Sequence, residues 1–434
     1  MREMKDSEVE WLGEVPEDWK VEPLWSHFRR SKKVGFPDEA LLSVYRDHGV
    51  VPKDSRSDNH NVESADLQGY QLVQEGNLVV NKMKAWQGSL SISSIRGIVS
   101  PAYYVYTRES GSISDGYIHN LLRCMPYVLS YSLISKGVRV GQWDLQPELF
   151  RKTPVLVPPI QEQVKIATYL DKETSQIDTL ISKKEQLIEK LLERRQALIT
   201  QVVTKGLDPN VPMKDSGVES LGMIPASWSV TPLGRVLSSA VVDGPHTTPK
   251  FVDEGLPFLS VDAIVDGQLL ELHTRLVSPS DFHLFRRKAC PQRGDILMGK
   301  AASIGKIARV KTDWEFAIWS PLALLKIDKD RADAGFVEFS LKSEPTQFQI
   351  NSLASANTQQ NLSMSKIPAL RIALPAKDEQ IQAAAYLESR VGDIDTLVEK
   401  TRKAIELLKE RRQALITQVV TGKIDVRGFA DGNS

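Results

Sequence analysis

The chain has 434 residues, 41% of them hydrophobic and 25% charged, with 26 glycines and 23 prolines. At roughly 150 residues per domain this length predicts two or three globular domains, and the composition excludes a largely disordered, collagen-like or disulfide-scaffold chain. The 55 basic side chains balance 55 acidic ones, for a formal charge of +0. A globally basic nucleic-acid binder is excluded, but a locally basic face is not.

Cys124 and Cys290 stand far apart and outside any CxxC pair. That argues against a structural zinc site and for a reducing compartment. The N-terminus carries mixed charge and lacks an apolar core, unlike a secretion signal. The apolar run from Phe316 to Leu325 contains Ser320 and Pro321 and is far shorter than the roughly 20 residues a membrane span needs. A soluble, cytoplasmic protein with no membrane association is expected.

In chain order, the first element is a short segment that recurs. Residues 4–24 read MKDSEVEWLGEVPEDWKVEPL and residues 213–233 read MKDSGVESLGMIPASWSVTPL. They agree at 13 of 21 positions, including Leu12/Leu221, Gly13/Gly222, Pro16/Pro225, Trp19/Trp228 and Pro23/Pro232. The stretch that follows, about 29–155, mixes short β-type runs with turns: Leu78-Val79-Val80, Tyr103-Tyr104-Val105-Tyr106 and Pro154-Val155-Leu156-Val157.

From Gln161 to Thr204 the pattern changes to a helical one. Leu170, Ile177, Leu191 and Leu198 fall on a seven-residue step, and Ile181, Ile188 and Val202 fall on a second step four residues on. That is the a/d seam of a coiled coil, interrupted by Lys184 and Arg195. Pro158 and Pro159 precede it and Gly206 ends it. A helix of about 40 residues would be roughly 60 Å long.

The second middle, about 238–372, looks unlike the first but is also β-rich. Its runs are Pro257-Phe258-Leu259-Ser260-Val261, Asp295-Ile296-Leu297-Met298 and Leu322-Ala323-Leu324-Leu325. The helical seam then returns 217 positions on, as Leu387, Ile394, Leu408 and Leu415 with Val398, Ile405 and Val419, interrupted by Thr401 and Arg412. Pro375 and an Asp378 N-cap are expected to open this helix, and Gly422 follows it. The run ERRQALITQVVT occurs at 193–204 and again, letter for letter, at 410–421.

The repeat is therefore constant at its ends and divergent in its middle: one scaffold and two tasks. Each long helix has one narrow apolar seam, and the nearest matching seam is in the other copy. Antiparallel pairing of the two gives a pseudo-twofold plan. The plainer alternative is that each helix packs on its own domain. Arg195 and Arg412 occupy seam positions, where a cation needs a partner. The alternatives are pairing with Glu193 or Glu410 across the bundle, or contact with another protein.

Catalytic motifs are scarce. Gly294-Asp295-Ile296-Leu297-Met298-Gly299-Lys300-Ala301 approaches a phosphate-binding loop, but Ala301 stands where a hydroxyl must hold Mg²⁺. Val157-Pro158-Pro159-Ile160 lacks the residues that flank the prolines of amino-methyltransferases and reads as a rigid lead into the helix. His246, in Asp243-Gly244-Pro245-His246-Thr247-Thr248, is a loop histidine placed better for ligand contact than for chemistry.

In this order and duplication, the chain resembles the DNA-specificity subunit (HsdS) of type I restriction–modification systems over nearly its whole length. The residues that carry the resemblance are Val9-Glu10-Trp11-Leu12-Gly13-Glu14-Val15-Pro16 with Trp19 and their second copy, Asn81-Lys82-Met83-Lys84-Ala85-Trp86-Gln87-Gly88, and Gly97-Ile98-Val99-Ser100-Pro101-Ala102-Tyr103. Pro158-Pro159-Ile160-Gln161-Glu162-Gln163 and Glu193-Arg194-Arg195-Gln196-Ala197-Leu198-Ile199 bracket the first helix. Gly294-Asp295-Ile296-Leu297, Ser303-Ile304-Gly305-Lys306 and Pro375 with Glu379-Gln380 follow in the second half.

The resemblance implies an α+β fold. Two α+β target-recognition domains (1–157 and 207–374) are separated by a pair of long antiparallel coiled-coil helices (158–206 and 375–426), with a pseudo-twofold internal repeat and a flexible tail at 427–434. It implies a non-catalytic subunit that binds double-stranded DNA at a bipartite, asymmetric site. Its partners would be two methyltransferase subunits that use S-adenosylmethionine on adenine N6, and restriction/translocase subunits that use ATP and Mg²⁺; the chain itself would hold no cofactor. The competing functions are a self-contained DNA-modifying enzyme and a non-DNA coiled-coil scaffold.

Reading bases requires Arg or Lys for guanine and Asn or Gln for adenine. The candidates in the first domain are Lys82, Lys84, Trp86, Gln87, Arg139, Gln142 and Trp143. In the second they are His246, Lys300, Ser303, Lys306, Gln359, Gln360 and Asn361, with Gln142 and Gln359 matching at the 217 offset. The tryptophans could equally be core, and the lysines could equally be solvated or touch phosphate. Arg194, Arg195, Gln196, Arg411, Arg412 and Gln413 are candidate partner-binding residues on the helices.

Overall fold

The computed structural model describes residues 2–429 apart from 47, 56–63, 65, 140–141, 272–273, 302 and 355–360. Of Val138, Arg139 and Gln142 it describes the backbone only. The chain divides into two compact units, residues 1–184 with 403–434, and residues 185–402.

In the first unit a hairpin pairs Met4–Asp6 with Glu14–Pro16, and Lys20–Pro23 pairs with Pro154–Val157. Between them lies an antiparallel four-stranded sheet in the order Phe28–Ser31, Tyr103–Arg108, Leu78–Asn81, Leu90–Ile92. Helices Asp115–Arg123 and Met125–Leu133 follow, then the hairpin Ser135–Arg139/Gln142–Leu145. Trp19, Tyr117, Tyr127, Tyr131 and Phe150 are fully buried at the core.

The second unit repeats this plan. Met213–Asp215 pairs with Met223–Pro225, and Ser229–Pro232 with Arg371–Leu374. Its four-stranded sheet runs Val242–Asp243, Leu322–Leu325, Ile296–Gly299, Ile307–Arg309. This is the same strand order as in the first unit, so the unlike middles carry one topology. Helices Ala334–Lys342 and Glu344–Leu353 match the helix pair of the first unit at an offset of 219. The second unit adds a three-stranded sheet, Arg275–Val277, Phe251–Leu259 and Ala317–Ile318, and helix Pro279–Lys288. The strand expected at 257–261 begins earlier and stops at Leu259; Val261 lies in a short 3-10 turn.

The long helices are Ile160–Lys205 and Lys377–Val420. Their seams are continuous in burial. Leu170, Thr174, Ile177, Ile181, Lys184, Ile188, Leu191, Arg195, Leu198 and Val202 are each buried or half-buried, in steps of three and four. So are Leu387, Val391, Ile394, Val398, Thr401, Ile405, Leu408, Arg412, Leu415 and Val419. The polar seam residues therefore sit in the stripe. Asp378 is not an N-cap; it lies within the first turn of a helix that begins at Lys377.

Within each unit the two helical segments run antiparallel. In the first, Asp178 meets Arg412 while Lys165 and Tyr169 lie against Arg427 and Phe429. In the second, Arg195 meets Asp395, and Gly206 lies against Glu379. Of the expected tail, residues 430–434 lie outside the described residues; the Phe429 ring is 5.0 Å from Tyr169, and Val426, just before the tail, is buried. Among the described residues no helix is long and apolar enough to cross a membrane.

The two helix starts are built alike. Glu162 accepts Trp19 Nε1 at 3.2 Å, and Glu379 accepts Trp228 Nε1 at 3.0 Å. The next residue, Gln163 or Gln380, donates Nε2 to the carbonyl of Pro158 (2.8 Å) or Pro375 (2.9 Å). Its Oε1 accepts the Ser114 N–H (2.7 Å) or the Asp333 N–H (2.8 Å). Each buried amide thus satisfies backbone groups at the seam between helix and domain.

Candidate nucleic-acid interface

In the first unit, strand Leu78–Asn81 is buried and delivers Lys82 to a tight connection. Asn81 Oδ1 accepts the Met83 N–H at 3.1 Å, Ala85–Gln87 form a 3-10 turn, and Gly88 closes it at φ 86°, in the left-handed region. Ala85 is the buried anchor; Lys84 and Gln87 are exposed, and Lys82 and Trp86 half-buried. Trp86 donates Nε1 to the Met83 carbonyl at 3.1 Å, and its ring centroid is 5.0 Å from Trp143.

The Leu145 N–H donates to the Lys82 carbonyl at 2.9 Å, so the hairpin Ser135–Leu145 is fixed to this turn. The structure therefore gathers Lys82, Lys84, Trp86, Gln87 and Trp143 in one place. Arg139 and Gln142 face each other in the register of the same hairpin, and their side chains lie outside the described residues. The two tryptophans pack on each other, which serves the core reading and the surface reading together. Arg30, with its guanidinium 4.3 Å from the Tyr104 ring, lies beside this neighbourhood, since Tyr104 Oη donates to the Leu145 carbonyl at 3.4 Å. Neither was among the sequence candidates, because only the sheet brings position 30 to position 104.

In the second unit the equivalent connection joins Ile296–Gly299 to Ile307–Arg309. Lys300 follows its strand as Lys82 follows its own. A Cβ on Gly299 would lie 2.3 Å from the Ser303 carbonyl oxygen, so the turn requires glycine there. Gln347 donates Nε2 to the Gly305 carbonyl at 3.0 Å and holds the turn from behind. Ser303 and Lys306 are half-buried on it. Asn361 reaches it through an antiparallel bridge to Ala301, and the Leu362 N–H donates to the Lys300 carbonyl at 2.8 Å. Gln359 and Gln360 lie outside the described residues.

Lys300 itself is not a free reader. It is buried, with Nζ 3.2 Å from the carboxylate of Asp243. Asp243 also pairs with Lys288 at 2.6 Å and lies 3.1 Å from His246. Burial pushes this carboxyl up, but the two lysines hold it below the ordinary carboxylate range. Lys82, by contrast, is in no ion pair among the described residues. The near phosphate-loop motif is a buried strand over Ile296–Gly299, as its apolar residues dictate.

On the helices, Arg195 pairs with Asp395 at 2.8 Å and Arg412 with Asp178 at 2.9 Å, rather than with Glu410 or Glu193. Arg195 also donates to the Asp266 carbonyl at 3.2 Å, and Gln196 to the Lys342 carbonyl at 2.9 Å. Arg402 reaches the Asp266 carboxylate at 2.9 Å. Asp266 (φ 50°) and Gly267 (φ 80°) form the two-residue turn of a hairpin, Ile264–Leu269. The helices thus grip a domain turn inside the second unit, and Arg195, Gln196 and Arg412 are engaged within the chain. Arg194 and Arg411 are exposed, and Gln413 half-buried.

One turn of the shorter helices differs between units. Glu338 is buried between Lys342 (2.6 Å) and Arg309 (3.0 Å), while His119 and Arg123 occupy the matching places. The His119 imidazole is pushed down to about 4 by burial and by Arg123 and Arg412. Its Nε2 accepts from Arg123 at 3.0 Å, so the proton is on Nδ1, which faces Ser91 Oγ at 3.2 Å.

No family model matches the chain. It is 23% identical to the putative type I restriction enzyme MjaX specificity subunit of Methanocaldococcus jannaschii, over 96% of each chain. It is 24% identical to the type I restriction enzyme MjaVIII specificity subunit of the same organism, over 96% of this chain and 95% of that one. Among solved structures it is similar to a chain from work on complex assembly and conformational transition of the type I R-M system, with TM-score 0.69 and 14% identity over 94% of this chain and 99% of that one. The repeated helix-and-sheet plan and these full-length similarities agree: over nearly its whole length the chain is similar to specificity subunits of type I restriction–modification systems.

Proposed function

We propose that this chain is the DNA-reading, non-catalytic subunit of a type I restriction–modification complex, each of its two domains reading one half of a split, asymmetric site. The observation that carries the reading is the pair of four-stranded sheets with one strand order and unlike edges. Lys82 is unpaired among the described residues where Lys300 is neutralised, and Trp86 with Trp143 stands where the second domain offers Ser303, Lys306 and Asn361. One scaffold with two different edges suits two different half-sites.

The helices, 46 and 44 residues long, would be about 69 and 66 Å at 1.5 Å per residue. Such rods would act as the ruler that sets the gap between half-sites, about one or more helical turns of 34–36 Å. The partners would be two methyltransferase subunits, carrying S-adenosylmethionine for adenine N6, and restriction/translocase subunits carrying ATP and Mg²⁺. The cytoplasm, where the DNA is, would be the place of action.

Methylome sequencing of cells that express the chain with its methyltransferase tests the reading. The expected result is a two-part motif with a fixed gap. Methylation or cleavage by the purified chain alone would favour a self-contained enzyme. Absence of sequence-dependent DNA binding by the assembled complex would favour a scaffold.

A further inference from the structure

Three groups of the second unit meet at one carboxylate. Asp243 ends the strand Val242–Asp243 and is 0% exposed. Lys288 Nζ lies 2.6 Å from its Oδ1, and Lys300 Nζ and His246 Nε2 lie 3.2 and 3.1 Å from its Oδ2. A buried carboxylate needs compensation. Here two ammonium groups answer one negative charge, so one positive charge remains even with the imidazole neutral.

The surplus faces outward. The Lys300 side chain is 9% exposed, whereas Lys288 is 47% and His246 67% exposed. The loop that carries His246 is pinned. Lys288 Nζ donates to the Gly244 carbonyl at 2.9 Å, and the Ser320 N–H donates to the Pro245 carbonyl at 3.2 Å. A Cβ on Gly244 would fall 1.8 Å from the Ile318 carbonyl oxygen, so the loop lies directly on the neighbouring strand. Thr247 and Thr248 continue the exposed edge with hydroxyl groups. A fixed, cationic, donor-bearing surface adjoining the Lys300–Lys306 turn is suited to one oxyanion class, the phosphodiester.

We propose that Lys288 and His246 form a phosphate-contact site of the second domain, with Asp243 as its positioning residue and Lys300 as an internal anchor that reads no base. The proposal rests on the DNA-reading function above, and adds Asp243 and Lys288 to its machinery. The buried carboxylate fixes where the Lys288 ammonium stands and holds His246 by Nε2, so that Nδ1 donates to a phosphate only in the imidazolium form; the domain thus meets the backbone in one register while other side chains meet the bases.

The test uses the full chain assembled with its methyltransferase subunits. Affinity is measured from 50 to 200 mM salt on a duplex carrying the methylated motif and on one of equal length lacking it. Lys288→Gln removes the charge of a side chain 47% exposed while Lys300 still answers Asp243, and is expected to fold. It should lower the slope of log K against log salt by about 0.9. Its deficit against the parent complex should shrink about 3.5-fold across that salt range, equally on both duplexes and with an unchanged methylated motif. An unchanged slope, or an altered base preference, overturns the site.

Asp243→Asn separates positioning from charge. It makes the site more positive, so charge alone would tighten binding. The positioning role instead requires weaker binding to the motif duplex, and tighter binding overturns it. Where Asp243→Asn fails to fold, the Lys288→Gln slope still decides. A parent complex that does not tell the two duplexes apart overturns the DNA-reading function itself. Discrimination by the parent, with Lys288→Gln superposing on it, overturns only the phosphate site.

Discussion

Arg195 and Asp395 pair at 2.8 Å, and the residues 217 positions away from each, Arg412 and Asp178, pair at 2.9 Å. One contact is thus made twice, once in each unit, by the two helices exchanging roles. Its arginines sit in apolar seams, where an unanswered cation would be costly. The two pairs hold equivalent places in the two units.

The first prediction concerns these pairs. Asp178→Ala and Arg412→Ala, alone and together, should show a coupling of about 0.5 kcal/mol in a double-mutant cycle, because the pair is partly solvated. The Arg195–Asp395 pair is less exposed, at 16% and 25%, and should couple more strongly. Urea unfolding, followed by probes placed separately in each unit, checks both.

The second concerns the helix starts. Gln163→Ala strips partners from the Pro158 and Ser112 carbonyls and from the Ser114 N–H. A loss of about 3 kcal/mol is expected, given ~1–3 kcal/mol for each buried polar group left unpaired. Hydrogen exchange should show the loss around residues 112–114 and 158–163. Gln380→Ala should produce the matching effect around 333 and 375–380.

Acid should weaken the first unit through His119. Its folded pKa is lowered from 6.5 to about 4, so the unfolded chain takes up the proton first as pH falls. The stabilisation is complete above about 6.5 and is lost progressively toward 4. A drop of 2.5 units corresponds to about 3 kcal/mol. Urea midpoints at pH 7 and pH 4.5 should diverge in the parent and converge in His119→Gln. Equal divergence in both proteins would exclude this origin.

Base reading by the first domain should be separable from that by the second. Gln87 is exposed on the turn that carries Trp86. Gln87→Ala is expected to relax one position of one half-site by about 1–3 kcal/mol and to leave the other half-site alone. Methylome sequencing reads both half-sites at once.

The ruler can be stretched. Inserting one heptad into both helices, in register, adds about 10 Å. The gap should grow by about three base pairs at 3.4 Å each, with both half-sites unchanged. An unchanged gap in the methylated motif would sink the ruler mechanism.

The helices were legible because a period of seven residues is a local property, and even the irregular members Lys184 and Arg195 keep their places in the stripe. The shared sheet order was not legible. Strands at the same position need only be apolar, so Leu78–Asn81 and Ile296–Gly299 share a place without sharing residues. The turn at 81–88 could be found from its string of polar and aromatic residues. The neutralisation of Lys300 could not, because residues 243, 288 and 300 meet only after the sheet and helix Pro279–Lys288 have formed. Gln163 and Gln380 were visible as a recurring pair, but their work of joining helix to domain appears only with Ser114 and Asp333 in place.

The twelve identical residues at 193–204 and 410–421 lie at the C-terminal end of each long helix, with Thr421 one residue past the second. Chains cut and rejoined within that stretch would therefore keep their splice intact, whichever head came with the new half. If each domain reads one half-site as proposed, a lineage carrying such a gene would change one word of its vocabulary by a single crossover, and the grammar that sets the distance between words would survive untouched.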